Sequence, residues 1–258
     1  MQNYAVITGA SQGLGKEIAW ELAAKGYAIL LTSLPNENIS SFADELRQKD
    51  TTVHYFETDL SIKENIIKFS EWANQFPISV LINNVGCGGS ENITTANIDY
   101  IYTIIQLNIT AFSLITRLLI PNLIKNSSSY ILNISSMAAF SPIGYKTVYP
   151  ASKKFIQYFS IGLQEELKNE NVSISVAYPG PMKTNKNVSE RIKKQSRFVN
   201  LGVVDLNTVA KICIRGLFKN KRTIIPGKIN KLSRIILKLL PKNIKTEILS
   251  KAIKKELS

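Results

Sequence analysis

Near its amino terminus the chain reads Tyr4-Ala5-Val6-Ile7-Thr8-Gly9-Ala10-Ser11-Gln12-Gly13-Leu14-Gly15, and a stretch with helical spacing follows. An apolar, β-branched run that ends in a glycine-rich turn before a helix is typical of a strand–turn–helix unit. Glycines at such a turn let backbone N–H groups approach a pyrophosphate, which then sits at the positive end of the helix. The spacing Gly-x-x-x-Gly-x-Gly differs from the commoner dinucleotide fingerprint, and glycines at a turn are often only turn chemistry. Their position between a strand and a well-formed helix favours a nucleotide site.

The same alternation of short apolar runs and longer amphipathic stretches continues through the first 180 residues. Predicted strands cover residues 4–8, 28–32, 52–56, 80–83, 130–134 and 173–177, and predicted helices cover residues 13–25, 39–49, 63–75, 98–123 and 150–168. The strands read as continuous apolar runs, as expected where both faces of a sheet are covered. Strands separated by helices of this length require right-handed crossovers. They predict a Rossmann-type, doubly wound parallel β-sheet in a three-layer α/β/α arrangement.

The rest of the chain continues the same fold. We expect one more helix over 206–218, a short strand over 223–225 and a basic helical hairpin broken at Pro241. No linker, repeat or low-complexity segment marks a second domain. We therefore expect a single domain, with residues 1–227 as its nucleotide-binding catalytic part and 228–258 as a basic amphipathic C-terminal helical extension.

The amino-acid composition of the chain argues against several classes of protein and of catalytic site. The 258 residues are 45% hydrophobic and 20% charged, as in an ordinary globular domain. Two cysteines, Cys87 and Cys213, and one histidine, His54, argue against a disulfide scaffold, a Cys/His zinc site and a Ser-His-Asp triad, so we expect no metal. No apolar run approaches the roughly 18 residues of a membrane-spanning helix, and Met1 lies too close to the first strand for a signal peptide. The expected location is the cytoplasm.

Charge is distributed unevenly. The net charge is +13, but residues 1–180 carry 12 Lys and Arg against 15 Asp and Glu, so the whole excess lies after residue 180. Such an asymmetry indicates an anionic partner or surface for the C-terminal part. Residues 181–258 hold only two aromatic side chains, Phe198 and Phe218, which argues against nucleic acid and also weakens the case for a membrane.

Apolar residues recur at helical spacing in the same tail, with basic residues between them. This set comprises Ile229, Leu232, Ile236, Leu239, Ile244, Ile248 and Ala252. One interpretation is an interfacial helix that makes peripheral contact with an anionic membrane. The alternative is a lid over the substrate pocket, or a subunit contact, whose apolar face packs on the body of the protein.

A phenol and an ammonium lie one helical turn apart in Tyr149-Pro150-Ala151-Ser152-Lys153. Residues at i and i+4 share a face of a helix, so the two side chains can converge. A tyrosine exchanges protons near neutral pH only if its phenolate is stabilised, and an ammonium about 4 to 5 Å away supplies roughly 4 kcal/mol. The pair can therefore act as a general acid and base, although an isolated pair is more often a chance surface neighbour. Tyr145 is a rival phenol, but the residue four positions later is Tyr149 and not a lysine.

Four motifs in one order resemble those of the short-chain dehydrogenase/reductase family, and the resemblance covers about residues 3–225. They are the glycine-rich turn from Thr8 to Gly15, then Asn83-Asn84-Val85-Gly86, then Ser136 thirteen residues before Tyr149 with Lys153, and finally Pro179-Gly180-Pro181-Met182-Lys183-Thr184. The family has a seven-stranded Rossmann-type sheet and moves hydride between a nicotinamide cofactor and a carbonyl or alcohol. The resemblance implies an NAD(P)-dependent oxidoreductase, with a carbonyl (keto) reductase expected and a 3-oxoacyl or other lipid-like compound among the candidate substrates. A non-catalytic dinucleotide-binding redox sensor or scaffold is the alternative.

The resemblance also assigns roles to residues. Tyr149 would protonate the carbonyl oxygen, Lys153 would activate it and hold the nicotinamide ribose, and Ser136 would bind the substrate oxygen, with Ser135 as its rival. Asn108 would hold a water of a proton relay through its backbone. The implied cofactor contacts are Gly9, Ser11, Gln12, Gly13, Leu14, Gly15, Ser33, Asp59, Leu60, Asn84, Gly86, Tyr149, Lys153, Pro179, Gly180 and Thr184.

Departures from the family pattern affect the choice of cofactor. Val85 replaces the usual alanine, a change we expect to be tolerated. The second predicted strand ends in Leu31-Thr32-Ser33-Leu34-Pro35, with neither the acid that favours NAD nor the arginine that favours NADP. An acid there would repel a 2′-phosphate, so its absence favours NADP(H), with Ser33 as a donor to the phosphate. The family also implies a small-molecule carbonyl or alcohol substrate and a homodimer or homotetramer, with contacts through the helices at 98–123 and 150–168.

Overall fold

Seven strands form the central sheet of the protein, a computed structural model of which describes residues 2–182 and 202–257. They are β1 (Tyr4–Thr8), β2 (Ala28–Ser33), β3 (Val53–Glu57), β4 (Ile78–Asn83), β5 (Ser129–Ile134), β6 (Val172–Ala177) and β7 (Thr223–Ile224). All of the neighbouring strands pair in parallel, in the order β3-β2-β1-β4-β5-β6-β7. The doubly wound, Rossmann-type sheet predicted from the sequence is confirmed. Strand ends differ from the predicted ones by one or two residues, the usual spread of terminal hydrogen bonding.

Helices cover both faces of this sheet and complete the three-layer fold. They are α1 (Gly13–Ala23), α2 (Ile39–Arg47), α3 (Lys63–Ala73), α4 (Ile98–Ile105), α5 (Phe112–Ile124), α6 (Val148–Glu166), α7 (Leu206–Leu217), α8 (Lys228–Leu239) and α9 (Lys242–Leu257). One buried cluster packs α1, α2 and α7 against one face, and a second packs α3, α5 and α6 against the other. The core thus lies in two apolar layers separated by the sheet.

The long helix between β4 and β5 departs from its prediction in two ways. A π-helical segment, Gln106–Ala111, joins α4 to α5, where a uniform helix was expected. The whole helix, Ile98–Ile124, is also long and apolar enough to cross a membrane by length and composition, so the expectation that no such segment exists is wrong. Core helices meet the same criteria, and here Ile115, Leu119 and Leu123 pack in the core against the sheet.

Helix α6 begins two residues before its predicted start. Its first residue is Val148, which makes Pro150 the third helical residue. The first four N–H groups of a helix have no intrahelical partner, so a proline at the third position removes no hydrogen bond. The earlier start brings Tyr149 into the first helical turn and keeps it one turn from Lys153.

The C-terminal hairpin, α8 and α9, contributes little to the core. Among the described side chains of these two helices, Asn230 alone is buried. Six of the seven apolar residues that recur at helical spacing are exposed, namely Ile229, Leu232, Ile236, Leu239, Ile244 and Ile248, whereas Ala252 is half-buried. Packing of this stripe on the body, expected in one interpretation of the tail, is therefore not observed. Other residues of the hairpin face the body.

Candidate active site

A cleft of about 860 Å³ opens at the carboxyl ends of the strands. It lies where β1 and β4 are neighbours, the point at which the strand order reverses and ligands bind in open α/β sheets. The cleft runs from Ser33 and Glu37 past the glycine-rich turn to Tyr149, and continues beneath the hairpin. The fold therefore brings the four motifs, which are far apart in the chain, to one edge of the sheet.

The glycine-rich turn leaves β1 and enters α1 with a backbone that needs glycine. Gly9 and Gly13 adopt positive φ values of 67° and 60°. Gly15 is required for close approach, since a Cβ there would lie 2.2 Å from the carbonyl oxygen of Gly9. The turn can therefore present backbone N–H groups at the start of α1, the arrangement that binds a pyrophosphate.

Thr8 and Asn84 hold this turn in place. The Thr8 hydroxyl accepts hydrogen bonds from the backbone N–H groups of Asn84 and Val85, both at 3.0 Å. The Asn84 amide donates to the carbonyl oxygens of Thr8 and Gly9, both at 2.9 Å. Asn84, predicted as a cofactor contact, thus supports the turn that would bind the cofactor.

Tyr149, Lys153 and Ser136 line the same part of the cleft. The Lys153 Nζ lies 5.9 Å from the centre of the Tyr149 ring and donates to the carbonyl oxygen of Ile134 at 3.1 Å. Ser136 caps a short 3₁₀ turn by accepting from the N–H of Ala138 at 3.1 Å, and its hydroxyl hydrogen stays available to a ligand.

The choice between the two adjacent serines follows from their partners. Ser135 is buried, and its hydroxyl donates to the carbonyl oxygen of Lys153 at 2.8 Å. That bond fixes α6 to the end of β5 and leaves Ser135 without a hydrogen to offer a substrate. Ser136 is therefore the serine whose chemistry fits a substrate contact.

Lys153 is an unusually buried ammonium, only 4% exposed. Burial lowers its pKa to about 8, and the nearby Cys87 thiol acts weakly in the opposite direction. Burial has the opposite effect on the thiol of Cys87 and raises its pKa. The sulfur is therefore a neutral thiol beside the ammonium at neutral pH. The site thus places one positive charge in a poorly solvated pocket next to a phenol.

Asn108 lies within the π-helical segment and is fully buried. Its Oδ1 accepts from the N–H of Cys87 at 3.0 Å, while its Nδ2 donates to the Cys87 carbonyl and to Ser152 Oγ, both at 2.9 Å. The side chain of Asn108 therefore links the loop after β4 to α6. π-Helical segments frequently lie at functional sites, and the backbone role expected for Asn108 stays a prediction.

At the far end of the cleft, Asp59, Leu60 and Ser33, three of the residues predicted to contact the cofactor, lie among the lining residues. Asp59 accepts from the N–H of Ser61 at 2.8 Å, which shapes the turn after β3. Ser33 donates to the carbonyl oxygen of Leu34 at 3.0 Å, so that bond would have to break before Ser33 could bind a phosphate.

Glu37 also lines this end of the cleft and was not among the predicted site residues. Its carboxylate accepts from Ser11 Oγ at 2.5 Å and so reaches the glycine-rich turn. Asn36 and Asn38, with φ values of 64° and 54°, form the bend that directs it there. Asparagine tolerates this left-handed region better than most residues, so the two asparagines were the signal in the sequence that could have indicated the bend.

The loop after β6 forms the remaining wall. Pro179 and Gly180, both predicted cofactor contacts, line the cleft, whereas Thr184 lies outside the described residues. A Cβ at Gly180 would lie 2.6 Å from the Asn230 amide, so this loop packs directly against α8. Asn230 also donates to the carbonyl oxygens of Gly202 and Pro226, at 3.0 and 2.8 Å.

The hairpin supplies apolar wall residues that sequence reasoning did not assign to the site. Leu237, Leu249, Ala252 and Ile253 line the cleft on its open side. Helical spacing alone identified a different set of residues, and only Ala252 belongs to both.

Comparison with known proteins identifies the family. A profile described as short chain dehydrogenase matches residues 3–195. The chain belongs to the short-chain dehydrogenase family. The family expected from the four motifs is thereby confirmed.

Curated relatives include very-long-chain 3-oxoacyl-CoA reductases. The protein from Rattus norvegicus is 30% identical over 181 residues, and that from Anas platyrhynchos is 35% identical over 182 residues. In both cases the match covers 68% of this chain and 58% of the relative. This short-chain dehydrogenase therefore spans less than two thirds of the length of those relatives.

Solved structures share the fold. A short-chain dehydrogenase from Sphingobium yanoikuyae in complex with NADPH superposes with a TM-score of 0.79 at 22% identity, covering 94% of this chain and 97% of that one. A short-chain dehydrogenase/reductase from Burkholderia phymatum in complex with NAD gives a TM-score of 0.82 at 20% identity, with 95% of each chain covered.

Proposed function

We propose that this short-chain dehydrogenase is a carbonyl reductase that transfers hydride between a nicotinamide dinucleotide and a ketone. The observation that carries the proposal is that Tyr149, Lys153 and Ser136 line one cleft with the glycine-rich turn. The turn fits a dinucleotide, since Gly15 leaves no room for a Cβ and the backbone at the start of α1 is held by Asn84.

Each residue of the site would have a separate role in the reaction. A bound nicotinamide supplies the hydride. Tyr149 donates its phenolic proton to the carbonyl oxygen, and Ser136 donates a hydrogen bond to the same oxygen. Lys153 stabilises the resulting phenolate because its charge lies in a poorly solvated site, where Coulomb interactions are stronger than in water. Asn108 keeps α6 in register with the loop after β4, and its backbone is a candidate to hold a water that returns the proton.

The substrate we propose is an apolar, lipid-like ketone, with a 3-oxoacyl thioester as the first candidate. Support comes from the hairpin residues Leu237, Leu249, Ala252 and Ile253, which give the open side of the cleft an apolar wall. The curated relatives are named for reduction of very-long-chain 3-oxoacyl-CoA.

We propose NADPH as the preferred cofactor. The end of β2 carries no acid, and Lys16 offers a cation at a surface depression that it shares with Ser11 and Glu37. Lys16 pairs with Glu45 at 3.1 Å, but exposed pairs contribute at most about 1 kcal/mol, so the lysine can re-pair with a phosphate. Glu37 opposes this preference, since its carboxylate would repel a 2′-phosphate.

Substitution of Lys16 and of Glu37 tests the proposed preference for NADPH. Lys16→Gln should raise KM for NADPH about tenfold and leave KM for NADH unchanged, whereas Glu37→Gln should lower KM for NADPH. A wild-type preference for NADH that Glu37→Gln abolishes would overturn the proposal and assign Glu37 to the ribose hydroxyls.

The chemical step is tested with Tyr149→Phe against Tyr145→Phe. Oxidation of NADPH is followed by absorbance with a panel of ketones that includes 3-oxoacyl thioesters. Tyr149→Phe should lower kcat by about 10² to 10⁴-fold with cofactor binding retained, because only the proton donor is lost. Tyr145 does not line the cleft, so its variant should match the wild type. Turnover that survives Tyr149→Phe contradicts the mechanism, and tight cofactor binding without any turnover would favour a redox sensor or scaffold.

We further propose a homodimer or homotetramer in the cytoplasm that makes peripheral contact with anionic membrane. Exposed apolar residues on α4 and α6 support the subunit contact, among them Ile98, Tyr102, Tyr158 and Ile161. The membrane contact would use the hairpin.

A further inference from the structure

The hairpin formed by α8 and α9 has an inner side, which faces the cleft, and an outer side, which is exposed. Its inner side forms a wall of the cleft, as described above, and makes a hydrogen bond and a cation–π contact with the body. Ser250 Oγ accepts from the N–H of Gly144 at 2.7 Å, and the Arg234 guanidinium lies 5.1 Å from the centre of the Phe140 ring. Its outer side has no such partners among the described contacts.

The outer side carries many exposed apolar side chains. Seven of the 17 exposed large hydrophobic residues belong to these two helices, including Leu232 at 57%, Ile235 at 57% and Leu239 at 78% exposure. Leu232, Ile235, Ile236 and Leu239 are spaced i, i+3, i+4 and i+7, so they form one stripe along α8. Ile244 and Ile248 form a second, shorter stripe along α9.

Basic side chains surround these stripes. Residues 228–257 contain nine lysines and arginines against two glutamates. Lys228, Lys231, Lys238 and Lys242 are exposed, whereas Lys245 turns back to donate to the Leu237 carbonyl at 3.1 Å. An apolar stripe with a cationic rim matches the interface of an anionic bilayer, which accepts alkyl groups below its headgroups and attracts lysines at them.

A second copy of the chain fits this side poorly. Two such faces would bring two strongly positive surfaces together, and like charges across an interface oppose association. Helices α4 and α6, which also have exposed apolar residues, contain no comparable excess of basic residues.

We infer that the hairpin is a membrane-docking roof: its outer stripe inserts into an anionic bilayer while its inner side walls the substrate cleft. The consequence, which rests on the proposed function, is that a lipid-like ketone reaches the cleft along the hairpin without crossing bulk water. Docking would therefore raise turnover of bilayer-dissolved substrates and leave turnover of water-soluble ketones unchanged.

Docking itself is tested by co-sedimentation of the full chain with phosphatidylcholine vesicles, with and without phosphatidylserine. The wild type should bind only the anionic vesicles, and high salt should weaken binding. The variant Leu232→Ser/Ile235→Ser/Leu239→Ser should bind at least about tenfold more weakly, and Lys231→Glu/Lys238→Glu should show a loss of similar size. The matched controls are Ile62→Ser/Ile67→Ser and Lys63→Glu/Lys68→Glu, which change exposed residues at α3, and these should bind like the wild type.

Four results would overturn the inference. Wild-type protein that fails to sediment with anionic vesicles, or hairpin variants that sediment as well as the wild type, would remove membrane docking. An oligomer that the serine variant dissociates would make this side a subunit contact. A loss of thermal stability in the serine variant, absent from its α3 control, would mean that another part of the chain covers the stripe.

Activity separates this inference from the proposed function. Each hairpin variant is assayed with a water-soluble ketone and with a long-chain 3-oxoacyl substrate in anionic vesicles. The inference expects loss with the second substrate only. Absence of turnover of either substrate by the wild type would count against the reductase, while the sedimentation result would still decide docking.

Discussion

Lys153 holds a charge where solvation is weak, and this has a cost in stability. The fall of its pKa from 10.5 to about 8 corresponds to about 3 kcal/mol. The folded protein loses this proton at lower pH than the unfolded chain does, so the penalty is full below about pH 8 and vanishes as the pH rises through about 10.5. The residue to which we assign a catalytic role therefore destabilises the fold at neutral pH.

Replacing the ammonium should release that penalty. Lys153→Met keeps the length of the side chain, loses the bond to Ile134, and should stabilise the cofactor-free protein by about 1 to 3 kcal/mol at pH 7. The gap between variant and wild type should close toward pH 10. Denaturant titrations at both pH values measure it, and a gap that does not change with pH would contradict the burial argument.

The same group predicts a pH profile. When the cofactor is the varied substrate, kcat/KM reports groups of the free enzyme. It should fall above about pH 8 as Lys153 loses its proton, because the phenolate of Tyr149 then loses its stabilising charge. A profile that is flat to about pH 10 would show that the ammonium is not required in this step.

Residue-level features differed in how far the sequence could reveal them. The Tyr149 and Lys153 pair was predictable because i, i+4 geometry is local to one helix. Ser136 was favoured over Ser135 by family spacing, and the structure adds a reason, the bond from Ser135 to the Lys153 backbone. Glu37 was missed because its position depends on two asparagines in left-handed conformation, which composition does not specify.

At the level of elements, the turn between β1 and α1 tolerates no side chain at its last glycine. Gly15→Ala should destabilise the protein by about 1 to 3 kcal/mol and abolish dinucleotide binding, because the new methyl group would collide with the Gly9 carbonyl. Thermal denaturation and cofactor fluorescence titration measure the two effects.

Gly162 in α6 provides the matched control. A Cβ there would meet nothing within 4 Å, so Gly162→Ala should stabilise the protein by about 0.5 to 1 kcal/mol with unchanged cofactor binding. If both alanine variants lose cofactor binding equally, close approach at the turn is not the cause.

Strand and helix order followed from hydrophobic periodicity, but two elements show its limits. The π-helical segment around Asn108 is fixed by the bonds of that side chain to Cys87 and Ser152, which connect parts of the chain far apart in sequence. Periodicity also located the apolar stripe of the hairpin without revealing that it faces outward, since a repeat defines a face and not the side on which the core lies.

For the whole molecule, the exposed apolar face of α4 and α6 predicts self-association. Tyr158 is 65% and Ile161 is 52% exposed, and a monomer would leave both in water. Tyr158→Glu/Ile161→Glu should convert the oligomer to monomer by placing charges in the contact, as measured by light scattering after gel filtration. The Ile62→Ser/Ile67→Ser control should retain the wild-type mass. A monomeric wild type would contradict the proposed assembly.

The floor of the cleft and its roof, the hairpin, are held in place by different numbers of contacts, and this determines which of them opens first. The floor beneath the glycine-rich turn is cross-linked by Thr8 and Asn84 between adjacent central strands. The roof, by contrast, contributes a single buried amide to the described interior. Amide protons of the roof should therefore exchange with deuterium far sooner than those of the floor, and bound dinucleotide should be released through the side that opens first.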